Sequence, residues 1–200
     1  RKRRRGFSTF DTLRVLGIHW LHTEGNITLK QLGKEVGLSY PSLSKVFDEI
    51  QSIITQNPDR SVQLKEFPES MWNEMVVTAP KARMSQGYCV RDGKPRSTES
   101  LLNRLANSPT PLSLEIAIGG VHAARHYYPG IDITNAPRLD ISINFAEMLE
   151  IPLFIRKLDP ALRKTQPGET PQVVIHQLDR PEPFYVDGKN GLKYTDEMDC

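Results

Sequence analysis

Apolar positions recur at helical spacing between residues 7 and 25, with Phe10, Leu13, Val15, Leu16, Ile18, Trp20 and Leu21 forming the series. Ser8 or Thr9 is placed to cap this helix, Asp11 falls in its first turn, and Gly25 ends it. After a short extended piece, Asn26-Ile27-Thr28, a second pattern begins. Thr28 caps a helix with Leu29, Leu32 and Val36 on one face, Gly37 supplies a left-handed turn, and Leu38 plugs the angle to the next helix. Ser39 caps that next helix, Pro41 fits its first turn, and Leu43, Val46, Phe47 and Ile50 face inward. Residues 52–55 and 61–64 read as strands around Gln56-Asn57-Pro58-Asp59-Arg60, whose residue types suit a hairpin tip. Helix, short strand, two helices about a tight turn, then hairpin is the order of a winged helix-turn-helix, expected over residues 1–66.

Beyond residue 66 the periods are mixed. A short helix from Met71 to Val77 is followed by a stretch, 79–96, with two prolines and two glycines, and 67–96 reads as a linker. A helix starting at residues 97–100 carries Leu101, Leu102 and Leu105 and ends in a turn at 107–111. Strands are expected at 114–118, 138–143, 153–155, 173–178 and 184–186, and residues 195–200 read as a helix start that the chain leaves unfinished. The predicted class is α+β: an N-terminal winged helix-turn-helix, then a mixed-sheet domain over 97–200, truncated at its C-terminal end if the protein continues.

Composition supports a folded chain, since 38% of the 200 residues are hydrophobic and no apolar stretch approaches the ~20 residues of a membrane span. Two cysteines, Cys89 and Cys200, make no disulfide framework or paired zinc site, so reduced thiols in a cytoplasmic protein are expected. The net charge of +2 hides an asymmetry. Residues 1–66 hold eleven Lys/Arg against seven Asp/Glu, and five of the eleven are Arg1-Lys2-Arg3-Arg4-Arg5. The chain starts without Met, so this run reads as the tail of a longer basic arm, and positive charge at one end points to a polyanion partner there.

On the second helix of the pair, Tyr40, Ser42, Ser44, Lys45, Asp48 and Glu49 are left for the outer surface. Small hydroxyls near a helix N-terminus, with one lysine, suit a helix that enters the major groove of double-stranded DNA. The expected DNA-binding residues are Ser39, Tyr40, Ser42, Ser44 and Lys45 on the groove, with Arg60 on the hairpin and Arg3, Arg4 and Arg5 on phosphates or in the minor groove. The competing reading is a docking module for another protein, with a solvated basic tail.

A third reading comes from Glu115-Ile-Ala-Ile-Gly-Gly-Val-His-Ala-Ala-Arg-His-Tyr127, where a buried strand turns through a glycine pair into a helix. With the strand Arg138-Leu-Asp-Ile-Ser-Ile143 after it, this has a nucleotidyltransferase-like layout. That chemistry needs two carboxylates alternating on the strand to hold paired metal ions, and here Asp140 is followed by Ser142, with Asp132 loosely placed. The expectation is a scaffold without catalytic residues, metal or cofactor, and the alternative is a nucleotidyltransferase-like enzyme using Asp140 with Asp132. His122 and His126 share a helix face, but no HExxH order accompanies them.

With its Gly119-Gly120-Val121-His122-Ala123-Ala124 turn placed after a winged module, the chain resembles the type IV abortive-infection (AbiE) antitoxin repressors. The resemblance covers most of the chain in layout and few residues in motif. It implies a bacterial repressor that binds double-stranded DNA at repeats in its own promoter, with a C-terminal domain involved in countering a cognate nucleotidyltransferase-type toxin. A homo-oligomer is a separate expectation for the chain.

Overall fold

The computed structural model describes residues 7–22, 25–82, 84–91, 94, 96–107, 114–132, 138–144 and 150–199. It is a mixed α+β structure that divides into two compact units. One lies within the chain up to residue 83, together with Arg180–Glu182; the other runs from Met84 to Asp179 and resumes at Pro183. The basic run at residues 1–5, including Arg3, Arg4 and Arg5, lies outside the described residues.

In chain order the first unit holds α1 (Phe7–His22), β1 (Ile27–Thr28), α2 (Leu29–Val36), α3 (Tyr40–Ile50), β2 (Ile54–Gln56), β3 (Ser61–Leu64) and α4 (Glu69–Ala82). The strands form an antiparallel sheet ordered β1-β3-β2. α1 is buried on all sides from Thr9 to Ile18, so its polar residues are internal: Arg14 is among the largest fully buried side chains. Asp11 lies in the same interior, and its Oδ1 accepts from Arg180 Nε at 3.1 Å, with both side chains under 5% exposed. Arg14 Nη1 reaches the Glu182 carbonyl at 3.5 Å. Neither Asp11 nor Arg14 therefore adds to the surface charge that the sequence count assigned to this end.

Residues 67–96 are not a linker. α4 extends from residue 69 to 82, with Trp72 stacked on Phe10 at 5.4 Å between ring centroids, and Pro80 falls in its last turn rather than ending it. Met84–Val90 is strand β4, inside the large sheet. Its Gly87 reads as a breaker in sequence, but Thr165 and Pro171 lie so close that a Cβ would meet them at 2.7 and 3.0 Å, so the position needs glycine to stay in the sheet.

The second unit continues with α5 (Thr98–Asn107), β5 (Glu115–Gly119), α6 (Gly120–Tyr127), β6 (Leu139–Asn144), α7 (Glu150–Leu158), β7 (Leu162–Lys164), β8 (Val173–Leu178), β9 (Val186–Asp187) and β10 (Lys193–Tyr194). Its mixed sheet is ordered β7-β4-β8-β6-β5-β10-β9, with β6/β8 and β5/β10 parallel and the other neighbours antiparallel. The strand expected at 153–155 is instead part of α7. Ile151, Phe154, Ile155 and Leu158 are its buried residues, an i, i+3, i+4, i+7 stripe that a three-residue apolar window cannot distinguish from a strand. The expected strand at 184–186 gives way to β9, because Phe184 takes a left-handed φ of 54°. Residues 197–199 form a turn, Asp196 Oδ1 accepting from Met198 N–H at 3.0 Å, rather than a helix.

Side chains alternate between the two faces of the sheet, one apolar and the other carrying its buried polar groups beside Val174, Leu178 and Ala117. Leu139, Ile141, Ile143, Val173, Ile175, Tyr88 and Val90 build the core with Leu101, Phe154 and Ala123 from the helices. The alternate residues Asp140, Ser142, Asn144 and His176 lie on the other side.

Candidate nucleic-acid interface

α2 and α3 are set by three local devices. Thr28 Oγ1 accepts from Gln31 N–H at 3.2 Å, the expected cap of α2. Gly37 closes the helix at φ 68°, and Leu38 N–H returns to the Gly33 carbonyl at 2.9 Å. Ser39 then occupies the cap position of α3, but its hydroxyl does not cap; it pairs with Ser42 Oγ at 3.0 Å, and Pro41 fills the first turn. Leu43, Val46, Phe47 and Ile50 are buried, as the periodicity predicts.

The outward face of α3 matches the sequence reading in part. Ser39, Ser44, Lys45 and Asp48 are exposed, and Tyr40 is 68% exposed. Ser42 is half-buried. Glu49 is exposed but committed, since its Oε2 accepts from the buried Thr9 hydroxyl of α1 at 2.7 Å. His19 of α1 meets Glu35 of α2 at 3.0 Å, so α1 braces both helices.

The hairpin between β2 and β3 is built from its own side chains. Asn57 N–H donates to the Ser61 carbonyl, and Asp59 Oδ1 accepts both the Ser61 N–H (2.9 Å) and its hydroxyl (2.7 Å). Those two bonds, the hydroxyl's first, hold the Asp59 carboxyl below its usual range. Arg60 takes a left-handed φ of 64°, its side chain is exposed, and its carbonyl accepts from Leu29 N–H at 3.0 Å. The tip is thereby tied to the start of α2.

Tyr40 and Arg60, twenty residues apart, line one open cleft of about 440 Å³ with Leu29, Gln56, Asn57 and Ser61. Tyr40 and Arg60 are expected from the sequence; Gln56 and Asn57, which read there as turn chemistry alone, are not. The Asn57 amide does serve the turn, donating to Ser61 Oγ at 3.0 Å and Asn26 Oδ1 at 3.2 Å. Gln56 is exposed, and its position two residues before a proline was the available signal. No family model matches this chain, and no curated protein or solved structure does. The interface is therefore read from its own geometry.

From residue 7 to 66 the chain carries six Lys/Arg against seven Asp/Glu. The positive surplus of this end belongs to residues 1–5, and the cleft's own positive charge is Arg60.

The other candidate, Asp140, is packed beneath the Gly119-Gly120 turn, where a Cβ on Gly120 (φ 58°) would meet Asp140 Oδ2 at 2.9 Å. Arg138 Nε donates to both its oxygens at 3.1 Å, and His176 Nε2 lies 2.8 Å from Oδ1. Burial pushes this carboxyl up, but the hydrogen bonds from His176 and Arg138 outweigh it and leave the group below the usual range. Ser142 is buried and Asp132 is exposed. His126 stacks on Tyr194 at 4.3 Å, and among the described residues no cluster of three or more His, Cys, Asp or Glu could hold a metal ion.

Proposed function

We propose that the first unit is a winged helix-turn-helix that binds double-stranded DNA sequence-specifically, and that the protein is a cytoplasmic transcriptional regulator of the autorepressing antitoxin type. α3 is the reading helix, with Tyr40, Ser44 and Lys45 toward base edges and Ser39 and Ser42 at its N-terminal end. The hairpin is the wing, and Arg60 contacts phosphate or the minor groove, assisted by Arg3, Arg4 and Arg5. The observation that carries this reading is the shared cleft of Tyr40 and Arg60, which joins the first residue of α3 to the hairpin tip in one solvent-open surface. Exposure of Ser44 and Lys45 on the same helix supports it.

The second unit is the regulatory module of this proposal, a nucleotidyltransferase-like scaffold that meets a cognate toxin. An antiparallel β5–β6 pair and a parallel β6–β8 pair around a glycine turn support that layout. Nucleotidyl transfer is not favoured, because Asp140 is occupied by Arg138 and His176 and Ser142 stands where a second metal-binding carboxylate belongs.

Selection of bound duplexes from a random pool, followed by anisotropy titration of the selected and scrambled sequences, tests the reading. The selected duplex is expected to bind at least ~10³-fold more tightly than the scrambled one. Equal affinity for both, or no binding by either, refutes sequence-specific recognition.

A further inference from the structure

Three neighbouring strands of the second unit place a serine, a histidine and an aspartate in line on the polar face of the sheet. Ser85 on β4 is the direct antiparallel partner of His176 on β8, so the two side chains share a face. Asp140 on β6 lies two residues before Ser142, the parallel partner of His176, and shares that face too. Ser85 Oγ is 2.8 Å from His176 Nδ1, and His176 Nε2 is 2.8 Å from Asp140 Oδ1. Exposure is graded along the chain: Ser85 is exposed, the His176 side chain 17% exposed and Asp140 buried.

We infer that Ser85, His176 and Asp140 form an acyl-transfer site with Ser85 as nucleophile, acting on activated acyl donors such as aryl esters or thioesters. The role of each group follows from the hydrogen bonds. Arg138 keeps Asp140 fixed and ionised against the cost of its burial beneath the glycine turn, so the imidazole carries its proton on Nε2, facing the carboxylate. That tautomer leaves the Nδ1 lone pair to accept the Ser85 O–H, the arrangement that activates a hydroxyl nucleophile. Each group stands on a strand rather than a loop, which fixes the geometry before a substrate arrives.

Ser85 Oγ attacks the acyl carbon as its proton passes to His176 Nδ1. The tetrahedral adduct collapses, the departing alcohol or thiol takes that proton, and an acyl-Ser85 ester remains. Water then gives a proton to Nδ1 and attacks the same carbon. Ser85 Oγ leaves with the proton, releasing a carboxylic acid. Asp140 is a positioning residue that stabilises the imidazolium at each stage. This site is independent of the DNA-binding reading, because its residues all belong to the second unit.

Incubation of the full chain with an alkyl fluorophosphonate, with the adduct located by peptide mass mapping, tests the inference. A single stoichiometric adduct on Ser85 is expected, absent in Ser85→Ala, whose exposed position leaves the fold intact by circular dichroism. His176→Asn should slow the labelling about 100-fold, the loss expected on removing a general base. Asp140→Asn should slow the labelling as well, and Asp140→Glu should recover most of the rate, because a carboxylate is needed to hold the imidazole in the accepting tautomer. No adduct, an adduct on another serine, an unchanged rate in His176→Asn, or labelling of Asp140→Glu no faster than of Asp140→Asn would overturn it.

Discussion

On α3, Tyr40, Ser44 and Lys45 stand in solvent, and among the described residues no side-chain hydrogen bond holds the tyrosine or the lysine in place. On the polar face of the large sheet, Asp140, Ser142 and Asn144 are buried, and Asp140 is held on both oxygens. Polar groups removed from water must be satisfied inside the protein, whereas exposed ones are free to meet a partner. The first region thus displays its chemistry outward, while the second spends most of its chemistry on its own strands. At Ser85 that internal network reaches the surface.

The sharpest way to break this contrast is through the buried charges of the first unit. Arg180→Met removes the guanidinium that pairs with the buried Asp11, and should destabilise the first unit by about 3–5 kcal/mol in urea denaturation. The paired replacement Asp11→Leu with Arg180→Met should recover most of that loss, which separates the cost of breaking the pair from the net worth of the pair.

A smaller effect is expected at the glycine turn. Gly120→Ala forces a Cβ into the left-handed region and against Asp140, and should cost about 1–3 kcal/mol, read from the thermal midpoint of the second unit. Lys45→Ala and Arg60→Ala should each change stability by less than ~0.5 kcal/mol, since both side chains are exposed. Each should nevertheless flatten the salt dependence of duplex binding, by about 0.9 in the log–log slope for every phosphate the wild-type side chain neutralises. Unchanged slopes would place the polyanion site elsewhere.

The smallest effect concerns pH. Arg163 donates to both oxygens of Glu169, at 2.7 and 2.5 Å, and with the Gln166 N–H holds that carboxyl at about 2, against an ordinary 4.5. A lowered folded-state pKa means the ionised group contributes stability above pH 4.5, and that contribution fades as pH falls toward 2. A carbon-detected titration of Glu169 should show its midpoint near the lower value; a midpoint near 4.5 would show that the pair does not persist in solution.

Local chemistry made the first unit largely legible. Thr28, Gly37, Pro41 and the Leu43-Val46-Phe47-Ile50 stripe act within a few residues of themselves, so pattern alone located α2 and α3. The second unit was harder because its order rests on distant partners. β4 carries a glycine and pairs with strands more than seventy residues away in sequence, and α7 hid behind a short apolar run. Long-range clamps gave no sequence signal at all: nothing near Asp11 announces Arg180, and nothing near Ser85 announces His176. At the interface, Tyr40 and Arg60 were readable as exposed residues on a helix start and a turn, but their meeting in one cleft depends on the Leu29–Arg60 backbone bond.

The most direct test of DNA binding by the first unit is an amide chemical-shift map of the protein titrated with its selected duplex. The largest shifts are expected on Tyr40, Ser44, Lys45, Gln56 and Arg60. Shifts confined to the second unit, with these five residues unmoved at saturation, would contradict it.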